Sequence, residues 1–465
     1  MERIFFHPAF QPQSVACALA DALLIAGTLV LASEVRFASL NRLVDYEGLY
    51  LTLSVVTLIL LLCAYYNELY QDKGYQQRWT EIAARWLKSF MMTGALLAMV
   101  YYAVPQLLLG RGILLMHFPM ALTGLLLWRM LFRWLIRRSP PVRVLILGTG
   151  CIAKDAAQVM TSSKQDEFRV FGFLAPEAGS VGRVLAGTKV IGTFDDVTRL
   201  STELRIDLVV VALEDRRGML PVDALLRCRT AGVGVEEAAS FYERLTGMIP
   251  VRSLRPSWLI FSNGFKRPRV HRAFKRASEF LIACAAIVIS LPILLVGAML
   301  VWLDGGRPVL YRQVRVGEEG KRFRLYKLRT MRQDAETESG PVWAASNGDP
   351  RITRVGRFLR ASRLDELPQL FNVLKGDMSF VGPRPERPCF VDQLKTLIPY
   401  YDERHSVKPG ITGWAQIKYG YTSNVDEAEK KFQYDLFYIK NMSLFLDIVI
   451  LLDTAKVVLL GKGAR

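Results

Sequence analysis

The chain has 465 residues, 51% of them hydrophobic, with 60 Lys and Arg against 43 Asp and Glu, for a net charge of +17. Such a length suggests about three domains, and so large a hydrophobic share is high for a soluble protein. The positive charge needs an anionic partner. The basic residues lie among apolar segments, with no basic aromatic stripe, which favours a membrane surface over nucleic acid. Cys17, Cys63, Cys151, Cys228, Cys284 and Cys389 show no CxxC spacing, so buried free thiols are expected. The 4 histidines form no HxxxH-type pattern, which argues against structural zinc.

Four apolar stretches come first, at about 14–32, 49–66, 87–104 and 112–132. Each is long enough for a hydrocarbon core of about 30 Å. The first lacks a cleavage-site pattern and precedes three others, so it reads as a span, not a signal peptide. Residues 1–141 are thus expected to form a four-helix transmembrane bundle. Lys73, Arg78 and Arg85 fall between the second and third stretches, and Arg133, Arg137, Arg138 and Arg143 follow the fourth. The other side offers Arg36, Arg42 and Arg111, so the positive-inside rule puts both ends of the bundle in the cytoplasm. Asp21 lies within the first stretch with no partner visible in the sequence, a functional candidate or a helix–helix bonding group.

Residues 142–250 change character. VRVLILGTG at 142–150 is a buried-strand run, and Gly148, Gly150 and Ala153 make G-x-G-x-x-A. A helical stretch follows, then FRVFGFLA at 168–175 and IDLVVVAL at 206–213. This βαβ pattern predicts a Rossmann-like α/β domain. A lone fingerprint is a weak cofactor signal. The acid expected for a ribose has no convincing occupant, since Glu177 is late and follows a proline, and no Tyr-x-x-x-Lys pair is present. A structural or regulatory module, with or without a held nucleotide, is favoured over an NAD enzyme, and no cofactor-binding residue is assigned.

Residues 251–274 form a basic, proline-punctuated linker, and an uncharged apolar helix is predicted over 280–302. By length alone it is a fifth spanning helix. Pro292 at its middle removes one backbone donor and clashes with the preceding turn, so a kink is expected, with Ser290 available for a freed carbonyl.

The remainder is charged and punctuated by glycine. Lys327 and Arg329 alternate on a predicted strand and so share a face. Arg351, Arg354, Arg357 and Arg360 follow an Asp349-Pro350 turn, and suit either lipid phosphates or a substrate phosphate. Asp365 and Glu366 are adjacent carboxylates, and Pro368 just after them predicts a helix starting at the dyad. Free N–H groups there would favour an anion. A carboxylate pair beside cations suits diphosphate chemistry, with one acid attacking phosphorus and the other holding a divalent metal or a proton. KPGITGWAQI at 408–417, with Tyr434, Phe437 and Tyr438, suggests an amphipathic membrane-facing wall, although each residue taken singly suits the core.

Long motifs in fixed order carry a resemblance. They are KRASEF at 275–280, RQVRVGEEGKRFRLYKLRTM at 312–331, DPRITRVGRFLR at 349–360, LDELPQLFNVLKGDMSFVGPRP at 364–385 and HSVKPGITGWAQIKYGY at 405–421. Residues 275–465 resemble the bacterial sugar transferases, the monotopic phosphoglycosyl transferases acting on polyprenyl phosphate. Two departures stand out. Glu279 replaces the family's usual aspartate, and Arg363 stands where Ser or Thr is common. The resemblance implies an α/β monotopic catalytic domain whose 280–302 helix is re-entrant, turning at Ser290 and Pro292. It implies Asp365 as nucleophile, with Glu366 and Asp365 beside Mg²⁺ (or Mn²⁺), and Arg360 as a phosphate ligand. Lys327, Arg329, Arg351 and Arg354 would join it at the substrate, and Pro383, Arg384 and Pro385 would lie near the uridine. The implied partners are a UDP-hexose, polyprenyl (undecaprenyl) phosphate, membrane lipids and a second copy of the chain as a dimer. The implied location is the bacterial inner membrane, multi-pass, with the site facing the cytoplasm, at the start of exopolysaccharide or O-antigen synthesis.

Two readings compete. A membrane-bound NAD-dependent nucleotide-sugar dehydratase or epimerase would rest on residues 142–250, but lacks the Tyr/Lys pair. A non-enzymatic scaffold leaves the dyad and Arg384 without a role.

Overall fold

The structure, a computed structural model, describes residues 12–37, 49–70, 79–107, 111–138, 140–163, 167–213, 219–254, 256–262, 264–265, 269–332, 351–419 and 424–460. Arg42, Lys73, Arg78 and the Asp349-Pro350 turn lie outside these. The chain divides into two compact units, Met1–Pro141 and Val142–Arg465.

In the first unit the apolar stretches form α1 (Pro12–Phe37), α2 (Leu49–Tyr66), α3 (Trp79–Ala103) and α4 (Arg111–Arg138). Side chains at helical spacing build two buried layers. Ile25, Leu60, Trp86, Phe90 and Leu125 share one, while Leu29, Val56, Leu97 and Ile113 share the other. Among the described residues, length and composition single out part of this set. Here Ser14–Arg36 and Gly112–Leu135 are long and apolar enough to cross a membrane, while Tyr50–Tyr66 is apolar but shorter. α3 is long but diluted by Lys88, Tyr101 and Tyr102. Asp21 does have a partner. Arg129 Nη2 lies 2.7 Å from its carboxylate, and the Tyr70 hydroxyl donates to it at 2.9 Å.

The second unit opens with a six-stranded sheet of order β3-β4-β2-β1-β5-β6, parallel except for the β3–β4 hairpin. Its strands are β1 (Val142–Leu147), β2 (Phe168–Ala175), β3 (Val184–Leu185), β4 (Thr188–Thr193), β5 (Leu208–Val211) and β6 (Gly234–Glu237). The crossovers are α5 (Cys151–Ser163) between β1 and β2, α6 (Val197–Glu203) between β4 and β5, and α7 (Val222–Thr230) between β5 and β6. After β6 comes α8 (Ala238–Thr246). Fully buried Val144–Leu147 explain the unbroken apolar run of β1, since both sheet faces are covered. Gly148 has φ +125°, and a Cβ there would lie 2.3 Å from the Ala212 carbonyl oxygen, so the turn after β1 requires glycine. Glu177 is exposed two residues past the end of β2.

The connector carries α9 (Pro256–Phe261), and its Trp258 is buried. The long apolar helix α10 runs unbroken over Arg269–Gly305, longer at both ends than the expected 280–302, with Pro292 inside it. Ser290 donates to the Ile287 carbonyl at 3.4 Å. β7 (Leu310–Val316) and β8 (Arg322–Leu328) form an antiparallel hairpin. Then come α11 (Arg354–Ala361), a 3₁₀ turn over Leu364–Gln369, α12 (Leu370–Lys375), β9 (Ser379–Val381) and α13 (Pro388–Leu397). β10 (Gly410–Thr412) pairs in parallel with β9, followed by α14 (Trp414–Lys418), α15 (Val425–Asn441) and α16 (Leu444–Leu460).

Trp414, Phe437 and Tyr438 are fully buried, so the expected membrane-facing wall is core here. Each such aromatic takes 150 Å² or more out of water. Trp414 Nε1 donates to the Gly247 carbonyl at 3.0 Å, tying α14 to the end of α8. The cysteines are free, but Cys151 and Cys389 are exposed and Cys284 half-buried, against the expectation of six buried thiols.

Candidate active site

The dyad sits on a tight 3₁₀ turn. Arg363, at φ 56°, precedes it in the left-handed region, a strained setting for a non-glycine residue. The chain then winds through Leu364–Gln369, with Pro368 inside that turn, and reaches α-helix only at Leu370. The expected helix start at the dyad is therefore replaced by a 3₁₀ turn. α12 has only 6 residues, too short to supply the anion-binding helix end expected there.

Asp365 and Glu366 diverge into different surroundings. Glu366 Oε1 takes Lys327 Nζ at 2.9 Å and Arg384 Nη2 at 3.3 Å, and Arg363 Nη1 lies 3.8 Å from Oε2. Burial opposes its charge, but Lys327 and Arg384 outweigh that and hold the carboxyl far below the usual range. Asp365 is buried, with Lys327 Nζ at 4.0 Å. Burial raises its carboxyl above the ordinary range, against the pull of Lys327, and Glu366 adds to the rise.

Lys327 reaches the dyad from the end of β8, as expected. Arg329 instead turns to the end of α10, where its Nη2 donates to the Gly306 carbonyl at 2.8 Å. Thr330, next in line, accepts from Arg360 Nε at 2.9 Å. α11 can press this close because Gly356 faces the Thr330 carbonyl oxygen, which a Cβ would meet at 2.1 Å. Arg354 is exposed in the first turn of α11. The Arg351 carbonyl accepts from Arg332 N at 3.0 Å. The ion pairs to Glu366 come from Lys327, Arg363 and Arg384.

The Pro383-Arg384-Pro385 turn is pinned through its carbonyls. Gly410 N donates to Pro383 O at 2.9 Å and Arg404 Nη2 to Arg384 O at 2.7 Å. Arg315 Nη1 donates to Pro385 O at 3.0 Å, and Val316 N to Glu386 O at 3.1 Å. Prolines donate nothing, so the turn is fixed by what it accepts. Arg404 is fully buried, with its Nε on Asp435 Oδ2 at 2.8 Å. Nearby, burial and Arg384 bring the Lys431 ammonium down to about 8 against the pull of Glu386. Sequence reading missed Arg315, Arg404 and Lys431, and noted Arg363 only as a departure. The KPG segment beside Arg404 and the 312–331 motif that contains Arg315 were the available signals for this side of the site.

Both ends of α10 meet this domain. Arg276 Nη1 and Nη2 donate to the Val373 and Leu374 carbonyls at 2.6 and 2.7 Å, closing the end of α12. Lys275 binds Asp447 at 2.6 Å, and Glu279 accepts from Ser379. At the far end, Val301 packs with Leu328 and Leu359.

Among the described residues, no group of three or more His, Cys, Asp and Glu is arranged to hold a metal. The dyad still suits Mg²⁺, which keeps several waters and needs one or two carboxylates beside substrate phosphates. Glu366 Oε1 is occupied by cations, leaving Oε2 and the Asp365 carboxylate.

An α/β domain with a carboxylate dyad caged by lysine and arginine is a site arranged to meet an anionic group. Residues 270–461 match the family described as Bacterial sugar transferase. Residues 66–227, crossing the boundary at 141, match one described as CoA-binding domain. The UDP-N-acetylgalactosamine-undecaprenyl-phosphate N-acetylgalactosaminephosphotransferase of Aeromonas hydrophila is 44% identical over 242 residues, 52% of this chain and 56% of that protein. The UDP-glucose:undecaprenyl-phosphate glucose-1-phosphate transferase of Escherichia coli (strain K12) is 42% identical over 197 residues, 42% of each. A Putative undecaprenyl-phosphate N-acetylgalactosaminyl 1-phosphate transferase of Bacillus subtilis (strain 168) is 52% identical over 132 residues, 28% of this chain and 73% of that protein. The chain belongs to the bacterial sugar transferase family. It spans about half the length of the first two of these relatives.

Proposed function

We propose that the protein transfers a hexose-1-phosphate from a UDP-sugar to polyprenyl phosphate, at the cytoplasmic face of the bacterial inner membrane, to begin exopolysaccharide or O-antigen synthesis. The observation that carries this is the asymmetry of the dyad. Glu366 is locked by Lys327 and Arg384, while Asp365 is buried beside them without a hydrogen bond among the described residues. A carboxylate oxygen of Asp365 attacks the β-phosphorus, the bond to the bridging oxygen breaks, and UMP leaves with that electron pair. An oxygen of polyprenyl phosphate then attacks the same phosphorus and frees the Asp365 carboxylate.

Lys327 and Arg384 supply positive charge where the diphosphate's charge concentrates. Glu366 keeps these cations in place. Its strongly lowered carboxyl pKa makes it a poor general base, which needs a pKa near the working pH. Mg²⁺ held at the Asp365 and Glu366 oxygens would offset diphosphate charge. The Pro383–Pro385 turn and Arg384 present a rigid edge to the nucleotide.

A re-entrant α10 belongs to this reading. Arg276 and Gly306 lie about 45 Å apart along a straight helix. Yet Arg276 grips α12, and the Gly306 carbonyl binds Arg329 just past β8. α12 and β8 are themselves joined, by Asn372 Nδ2 donating to the Arg324 carbonyl at 2.7 Å. One domain holding both helix ends supports a helix that keeps to one face of the membrane over one that crosses it.

The test is UMP release from a panel of UDP-sugars by the purified protein in lipid, with and without polyprenyl phosphate. Quenched incubation with donor alone should leave a hexose-phosphate on a peptide containing Asp365. Intersecting initial-rate lines with no adduct would refute the covalent route. No release with any donor would refute the transferase reading.

A further inference from the structure

In the six-stranded sheet the strand order reverses between β1 and β5, because the chain builds β2, β4 and β3 on one side of β1 and then returns to the other. In doubly wound sheets the crevice outside the carboxyl ends of two such strands is where a nucleotide binds. Here that place is filled. Ala212 N donates to the Leu147 carbonyl at 2.7 Å, which carries the β1–β5 pairing past the end of β5. Gly148 then backs onto the Ala212 carbonyl, where a Cβ would not fit. At the end of β2, where an acid would hold a ribose, Ala175 is fully buried.

The filling comes from the chain's own connector. Leu254 and Trp258 are buried against Ile152, Ala212, Leu213 and Ala238, and the cavity left among them is about 20 Å³, room for a water and not for a nucleotide. Trp258 Nε1 donates to the Ser240 hydroxyl at 3.4 Å. The other side of the connector lies on α15. Ile249 N donates to the Gln433 carbonyl at 3.2 Å and Arg252 Nε to Glu429 Oε2 at 2.8 Å. Gly264 sits so near Lys440 that a Cβ would lie 2.7 Å from its carbonyl oxygen. The Lys440 ammonium covers the Trp258 ring, 4.0 Å from its centroid. An indole takes about 150 Å² or more out of water, so its seat in the sheet fixes the connector and, through Lys440, the end of α15.

α15 also supports the turn beside the dyad. Asp435 holds Arg404, Arg404 holds the Arg384 carbonyl, and Arg384 reaches Glu366. We infer that the crevice is a socket for the connector and not a nucleotide site, and that Trp258, seated in it, positions Arg384 through α15. Its action on Arg384 rests on the transferase reading above and gives the sheet a part in it.

The test uses the full chain in nanodiscs, as wild type, Trp258→Ala, Trp258→Phe and Leu254→Ala. NADH and coenzyme A, titrated by calorimetry to millimolar concentration, should show no saturable binding to the wild type beyond what UDP displaces. Saturable binding of either that UDP leaves in place overturns the socket. A charge-assisted hydrogen bond is worth roughly tenfold in affinity, and misplacing Arg384 forfeits part of that. The KM for the UDP-sugar should therefore rise about three- to tenfold in Trp258→Ala, and less in Trp258→Phe and Leu254→Ala, with the KM for undecaprenyl phosphate unmoved. A merely structural role lowers kcat by the folded fraction and leaves both KM values alone, and that result overturns the positioning. Leu254→Ala, the smaller truncation in the same crevice, decides the matter if Trp258→Ala fails to fold. Affinity for UDP is measured directly in parallel. An affinity that falls in the variants while the wild type transfers no sugar would uphold the inference and refute the transferase reading. One unchanged in every variant would refute the positioning alone.

Discussion

Replacing Glu243 should loosen the joint between the α/β sheet region and the catalytic region of the second unit. Glu243, on α8, binds Lys440 Nζ at 2.6 Å, with both side chains more than nine-tenths buried, and accepts from Asn441 Nδ2 at 2.8 Å. In Glu243→Ala, Asn441 keeps its second acceptor, the Phe437 carbonyl. The Lys440 ammonium keeps only the face of Trp258, 4.0 Å from the ring centroid. Removing one partner of a buried pair costs about 3–5 kcal/mol, and the ring offsets about 1–2 kcal/mol. The net loss is about 1–4 kcal/mol, or roughly 2–6 °C in melting temperature for a unit as large as Val142–Arg465. Glu243→Leu combined with Lys440→Met replaces the pair by apolar groups of similar volume and should cost far less than either single change. The assay is thermal unfolding of the full chain in nanodiscs, followed by tryptophan fluorescence. α15 also carries Asp435, which holds Arg404, and Tyr438, whose hydroxyl donates to the Val381 carbonyl at 3.0 Å. Turnover should therefore fall along with stability in Glu243→Ala. Additive single and double variants, or a Glu243→Ala melting point within a degree of wild type, would refute this reasoning.

What was legible in the sequence was what lies close along the chain. The β1 run into Gly148, the apolar stretches of the first unit and the carboxylate dyad each declare themselves within about ten residues. The partners that give these groups their properties are distant. Asp21 meets Arg129 from 108 positions away, Glu243 meets Lys440 from 197, and Arg384 is fixed by Arg404 from 20. Periodicity reports which face of an element is apolar, and says nothing of which other element comes to cover it. The helix expected at Pro368 failed for a local reason. Proline fits a 3₁₀ turn as readily as a first α turn, and the left-handed Arg363 before it carries no residue-type signal. Alternation put Lys327 and Arg329 on one face, but Arg329 falls beyond the last residue of β8, where the strand's periodicity no longer applies.

Other perturbations bear on single groups. Asp365→Asn should reduce UMP release to background with the melting point retained, because an amide cannot supply an anionic oxygen to phosphorus; near wild-type turnover would remove Asp365 as nucleophile. Asp21→Asn should destabilise the first unit by several kcal/mol, because Arg129 is left buried without a full counter-charge; unchanged thermal stability in lipid would refute that. On the re-entrant reading proposed above, Pro292→Ala with Ser290→Ala should favour a spanning α10, so that a cysteine placed near Gly305 becomes labelled from the periplasmic side. Such labelling in the otherwise wild-type chain would refute the re-entrant helix. His405 should make stability depend on pH. It is buried, and burial, then Arg404 and Lys395, lower its imidazole from 6.5 to about 4 against Asp402. The folded state therefore binds fewer protons than the unfolded state between about pH 4 and 6.5, so stability falls as pH drops through that window. The full shift corresponds to at most about 3 kcal/mol. His405→Gln should flatten that part of a melting-temperature profile measured from pH 7 to pH 4.5, and a slope equal to that of the wild type would show that other groups set the acid limit.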